Sequence, residues 1–134
     1  MAEEKTIYIA PLEKLDLDSA ELSGSAFFGY NRWRVRLSGI TVNPEEASII
    51  KQIFTDFIKG LDKSQIAKKL NKAGKRTKKG KRWTSKYVNR ILLNSIYCGY
   101  VFCNGKYIRG IYYPIISVQE FNACQEDDST KIIL

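Results

Sequence analysis

Apolar positions recur along this chain at two different periods, and the changes of period divide it into elements. From Asn43 the period is helical: Ala47, Ile50, Phe54, Phe57 and Ile58 fall at helical steps and share one face. Asn43 suits an N-cap, Pro44 the first helical position, and Glu45 and Glu46 oppose the positive end of the helix dipole. Gly60 after Lys59 is a stop. The spacing predicts a main core helix over about residues 44 to 59. A second helix is expected from Ser64 to Gly74, with Ile66, Ala67 and Leu70 inward and Lys68, Lys69 and Lys72 outward. Thr84 caps a third, whose inward stripe is Val88, Ile91 and Leu92. Lys86, Asn89 and Arg90 lie at i, i+3 and i+4 on its opposite face.

On either side of these helices the period drops to two. Trp33, Val35 and Leu37 alternate with Arg32, Arg34 and Arg36, Ser38-Gly39 is a turn signal, and Ile40 and Val42 can pair back. Residues 97–104 and 106–113 flank Asn104-Gly105, the preferred dipeptide of a tight hairpin. Pro114 ends that hairpin, and Ser117-Val118-Gln119-Glu120 is a capping box for a short helix carrying Phe121 and Cys124. The expected organisation is an acidic tail or linker over residues 1–25, a domain over 26–124 and a tail over 125–134. The fold class is α+β: a core helix, a helix-turn-helix-like pair and two β-hairpins.

Composition narrows the chemistry. The 134 residues suit one domain, and 44% hydrophobic residues can fill a core. No stretch approaches the roughly 20 apolar residues of a membrane span, and the N-terminus lacks a secretory apolar region. A soluble, cytoplasmic protein is expected. There is no histidine, which excludes histidine acid–base catalysis, histidine-activated nucleophiles and histidine-containing zinc sites. Cys98, Cys103 and Cys124 are too few and too scattered for a zinc site or a disulfide framework. They are read as buried, inert thiols, and Glu126-Asp127-Asp128 as a frayed acidic tail. No metal or cofactor is expected.

Charge changes the picture most. Between Lys59 and Arg90 stand thirteen Lys or Arg residues and one acid, Asp62, a net +12 against +8 for the whole chain. Basic charge concentrated on helical periodicity suits a phosphate backbone. The second and third helices, joined by the basic link KRTKKGKRW, resemble a helix-turn-helix with a longer connection. Lys86 and Arg90 have the chemistry to donate to guanine, and Asn89 to pair with adenine. Lys68, Lys69, Lys72, Arg76, Lys78, Lys79, Lys81 and Arg82 suit phosphates. Trp83 is read as a staple between the third helix and the core, with base stacking as the alternative. Five of the eight tyrosines (Tyr97, Tyr100, Tyr107, Tyr112, Tyr113) mark the second hairpin as a half-buried sheet, or else as a stacking platform. Arg109 and Lys106 are free on it to touch backbone. The competing readings are a winged-helix transcriptional regulator and a basic RNA- or protein-interaction module.

An ordered series of residues then resembles a family. FGY (28–30), VNPEEA (42–47), Ile53-Phe54 and Gly60 are followed by S-x-IA-x-x-LN-x-x-G (64–74), Thr77, Gly80, Trp83, Val88 and IL-x-N (91–94). Tyr97-x-Gly99, Pro114-Ile115-Ile116-Ser117 and Glu120-Phe121 complete it. The series resembles the recombinase domain of large serine recombinases, the phage-type serine integrases. The resemblance implies a DNA-binding module that follows a serine catalytic domain and precedes a zinc ribbon, and that grips attachment half-sites of phage or mobile elements. The rest of the recombinase chain and duplex DNA would be its partners. Ser95 stands where the family usually has proline. Some 25 residues precede Phe27 and no paired cysteines follow Cys124, so the chain is expected to bind DNA as a monomeric domain without catalytic activity of its own.

Overall fold

The computed structural model describes residues 27–32, 40–103, 106–109 and 112–132. The expected tail over 1–25, the alternating positions from Trp33 to Leu37, the Ser38-Gly39 and Asn104-Gly105 turns and the side chains of Arg32, Cys103 and Lys106 lie outside the described residues. The elements run β1 (Tyr30–Arg32), β2 (Ile40–Val42), α1 (Pro44–Ile58), α2 (Lys63–Lys72), α3 (Ser85–Leu93), β3 (Tyr100–Cys103), β4 (Lys106–Arg109) and α4 (Val118–Ala123). This is the α+β arrangement expected. β1 pairs antiparallel with β2, Tyr30 opposite Val42, and β3 with β4, Tyr100 opposite Arg109.

Helix α1 is the hub, packing against α2, α3 and α4. Its Ala47, Ile49, Ile50, Ile53 and Phe54 are buried. Ile58, expected on that stripe, is 48% exposed. Each four-residue step turns a helical position about 40° round the axis, so from Ile50 through Phe54 to Ile58 the stripe rotates out of the core. Helix α2 starts one residue earlier than expected, because Asp62 caps it. The Asp62 carboxylate accepts from Gln65 N–H (2.8 Å), and the Gln65 side chain accepts from Asp62 N–H (2.9 Å), a reciprocal capping box. The one acid of the basic stretch is therefore a helix start.

The period-two reading after Asn94 needs correction. Ser95–Cys98 is a turn of 3₁₀-helix, Gly99 follows at φ 93°, and the strand begins only at Tyr100. The Asn94 side chain accepts from Ile96 N–H (3.2 Å) and Ser95 Oγ donates to Tyr100 C=O (2.8 Å). These local bonds take the segment out of the ladder, and Tyr97 C=O is used by Ile115 and Ile116 N–H (2.8 and 2.9 Å). Ser95 stands at the first position of the turn, where a proline would forfeit no intrahelical bond; its hydroxyl instead ties the turn to the strand. The second strand ends at Arg109, short of Tyr112 and Tyr113.

Within the expected tail over 125–134, residues 126–129 are exposed but Gln125 and Ile132 pack against the domain. Buried Gln125 donates from Nε2 to Leu92 C=O (2.7 Å) and Phe121 C=O (3.0 Å). Ile132 is 3% exposed and exchanges two hydrogen bonds with the Asn122 side chain. Cys98 and Cys124 are buried free thiols, pushed by that burial up to about 12 and about 11, so they carry little thiolate at neutral pH and act as packing.

The FGY segment explains itself residue by residue. Phe28 packs edge-on against Trp83 (5.0 Å). Gly29 N–H donates to Glu46 Oε1 (2.9 Å). Tyr30, fully buried, donates its hydroxyl to Tyr113 C=O (2.6 Å) and stacks on Tyr97. Three consecutive residues thus reach three parts of the fold. Gly29 has φ 105°, and a Cβ there would lie 3.1 Å from Ile115 Cδ1 and 3.2 Å from Tyr97 Cε1. Gly29→Ala therefore combines backbone strain with overpacking, and should cost about 2–5 kcal/mol by denaturant unfolding. A cost below about 1 kcal/mol would mean the segment can turn without a glycine.

Candidate nucleic-acid interface

Helices α2 and α3 pack on each other and on α1, burying Ile66, Ala67 and Leu70 from one and Val88, Ile91 and Leu92 from the other. Both inward stripes are those expected from spacing. With these faces committed, the opposite faces are turned to solvent. Lys68, Lys69 and Lys72 on α2 are exposed, as are Lys86 and Arg90 on α3, and Asn89 is half-buried between them. Thr84 caps α3, accepting from Tyr87 N–H (3.1 Å).

The link between the helices is organised by two devices. The first is a clasp at its ends: the Asn71 carboxamide accepts from Trp83 N–H (2.8 Å) and donates to Trp83 C=O (2.9 Å). The second is a tight turn in its middle. Gly80 N–H donates to Thr77 C=O (2.8 Å), Thr77 N–H donates to Lys81 C=O (2.9 Å), and Lys81 N–H also reaches Thr77 Oγ1 (3.1 Å). Gly80 at φ 78° occupies the left-handed position that such a three-residue loop requires. Thr77 is buried under this turn. The connection is longer than a helix-turn-helix turn and yet fixed, so Arg76, Lys79, Lys81 and Arg82, all exposed, are held on a defined frame.

Trp83 is 2% exposed, seated edge-on between Phe28 and Tyr87, each 5.0 Å away. It is the staple; a ring so buried has no face for a base. Its Nε1–H has no hydrogen-bond partner among the described residues. The tyrosines of the second hairpin follow the half-buried reading: Tyr97 and Tyr100 are buried, Tyr107 and Tyr112 half-buried, and Tyr113 exposed. Arg109 is exposed on β4.

The structure separates the phosphate candidates by what they already hold. Lys78 Nζ lies 2.7 Å from Glu46 Oε1, with both side chains largely covered. Lys69 Nζ lies 3.1 Å from the buried carboxylate of Asp56. Lys68, Lys72, Lys79, Lys81 and Arg82 make no ion pair among the described residues, nor does Arg76, which donates to Lys75 C=O (2.7 Å). Exposed Lys75 belongs with them although spacing did not single it out. Asn71 and Glu46 were also missed as parts of this frame. A lone Asn near a helix end has no sequence signature of a clasp, and the carboxylate of Glu46 reads in sequence only as a dipole partner.

The Recombinase family model matches residues 44–131. Comparison with curated proteins finds no match. A solved structure described as a LSR–DNA complex is 31% identical over 79% of this chain and 32% of its own length, with a TM-score of 0.61. Another, concerned with sequence requirements of the Listeria innocua prophage attP site, is 30% identical over 79% of this chain and 43% of its own, with a TM-score of 0.63. The chain spans less than half the length of either.

Proposed function

The chain belongs to the Recombinase family, and from that premise we propose that it binds duplex DNA at the attachment half-sites of a site-specific serine recombinase. In this reading α3 enters the major groove. Lys86 and Arg90 donate to guanine edges, and Asn89 pairs with adenine. Arg76, Lys79, Lys81 and Arg82 from the link, with Lys68 and Lys72 from α2, lie along the phosphates. The chain contributes grip and register, and bond breakage and rejoining belong to a serine catalytic domain elsewhere in the recombinase. The observation that carries the reading is the division of α3: Val88, Ile91 and Leu92 are buried while Lys86 and Arg90 on the other side are exposed beside a fixed basic turn. The two solved relatives, whose descriptions concern a DNA complex and an attP site, support the same ligand.

Arg90 is the sharper probe of the groove assignment, because a bidentate guanidinium reads a base where a lysine mainly adds charge. Arg90→Ala should cost about 1–3 kcal/mol on the selected site and relax preference at one base position. Binding-site selection from random duplexes, followed by titration of the winner, measures both. Equal weakening on selected and random duplex would remove Arg90 from the readers. Stronger binding to RNA or single strands than to any duplex would replace the reading altogether.

A further inference from the structure

Among the described residues, Glu46 is the acidic side chain paired with the basic link, and its position is built from several sides. Asn43 and Glu46 have the spacing of a capping box, in which Glu46 would return to Asn43 N–H. Here the FGY segment intervenes: Asn43 N–H donates to Gly29 C=O (2.8 Å) and Gly29 N–H donates to Glu46 Oε1 (2.9 Å). The same oxygen accepts from Lys78 Nζ (2.7 Å), at the first corner of the 77–80 turn. The side chains are only 17% and 24% exposed, so the pair is shielded more than an ordinary surface ion pair. Tyr87, half-buried on α3 against the core, carries the imprint: burial raises its hydroxyl, Glu46 raises it further and Arg90 lowers it. Glu46 and Arg90 thus act on one neighbourhood.

We propose that Glu46 is a positioning residue for DNA binding: through Lys78 it locks the 77–81 turn against the start of α1, so that Lys79, Lys81 and Arg82 are presented to phosphates while Lys78 itself touches none. The proposal rests on the DNA-binding reading and withdraws one lysine from the phosphate-binding set. A lysine held on a carboxylate has its charge already matched and adds little to the counterions released on binding. Left bare, Glu46 would instead repel the backbone that the turn approaches.

Two measurements test this on the chain as it stands. Backbone amide exchange reads the turn without DNA. Glu46→Gln and Lys78→Met should each speed exchange of the Gly80 and Lys81 amides by about tenfold or more, because the turn then opens locally. Lys78→Arg should restore protection and Lys79→Met should leave it unchanged. The salt dependence of duplex affinity reads the phosphate neighbours: Lys79→Met should lower the log–log slope by about 0.9, whereas Lys78→Met should weaken binding through the cost of reordering the turn on the duplex, with Lys79, Lys81 and Arg82 still reaching phosphates, and so leave the slope as it is in the native chain. A slope lowered by Lys78→Met as much as by Lys79→Met overturns the proposal, and so does unchanged amide exchange in both Glu46→Gln and Lys78→Met. If the native chain binds no duplex in a salt-dependent way, the DNA reading fails, and the exchange data alone still decide whether Glu46 positions the turn.

Discussion

Trp83→Ala is expected to destabilise the domain by about 3–5 kcal/mol, a large part of the roughly 5–15 kcal/mol that holds a typical domain folded. The size follows from where the indole sits. It is 2% exposed and meets Phe28 and Tyr87 edge-on, so truncation empties a space bounded by the FGY segment on one side and α3 on the other. The backbone at Trp83 is fixed separately by Asn71 and cannot easily move in to fill it. Equilibrium unfolding in urea measures the effect. Trp83→Phe separates volume from polarity: the Nε1–H has no partner among the described residues, so a phenyl ring forfeits no hydrogen bond there and should cost less than half as much. A Trp83→Ala cost under about 1 kcal/mol would show that α3 is held by its own stripe and needs no staple.

The staple illustrates how far the chain could be read before its structure. Caps and inward stripes are local, and local chemistry is visible in sequence. Asn43, Thr84 and Ser117 cap as expected, and Val88, Ile91 and Leu92 are buried as their spacing demands. Errors fall where tertiary partners decide. Tyr97 and Gly99 resemble part of a strand, yet Asn94 and Ser95 bond locally and the Tyr97 carbonyl is claimed by a segment far along the chain. Residues 126–128 are exposed, as a solvated acidic run should be, but local composition does not show that Gln125 and Ile132 on either side of them are buried. The basic link shows the same limit in the candidate site. Sequence could count its cations but not sort them, since the carboxylates that occupy Lys69 and Lys78 both come from α1, 13 and 32 residues away. Distance in sequence hides an ion pair as thoroughly as it hides packing between side chains.

That sorting sets the size of the functional effect with the largest reach. Replacing Lys79, Lys81 and Arg82 together by Met should lower the slope of log affinity against log salt by about 2.7, at about 0.9 for each phosphate no longer neutralised. Extrapolated over a tenfold range of salt, affinity at the low end falls by about 500-fold relative to the high end. Because the three side chains are exposed and make no ion pair among the described residues, the substitutions should leave urea stability within about 0.5 kcal/mol. The turn that carries them is held by Thr77, Gly80 and the Glu46–Lys78 pair, none of which is altered. The triple variant should also keep its base preference in site selection, since Lys86, Asn89 and Arg90 remain on α3 and groups that hold phosphates position the protein without reading sequence. Weakened grip with preference retained is the signature of a phosphate rail beside a separate reading helix. If preference falls along with grip, the link itself enters a groove, and the division of labour between the turn and α3 would have to be redrawn.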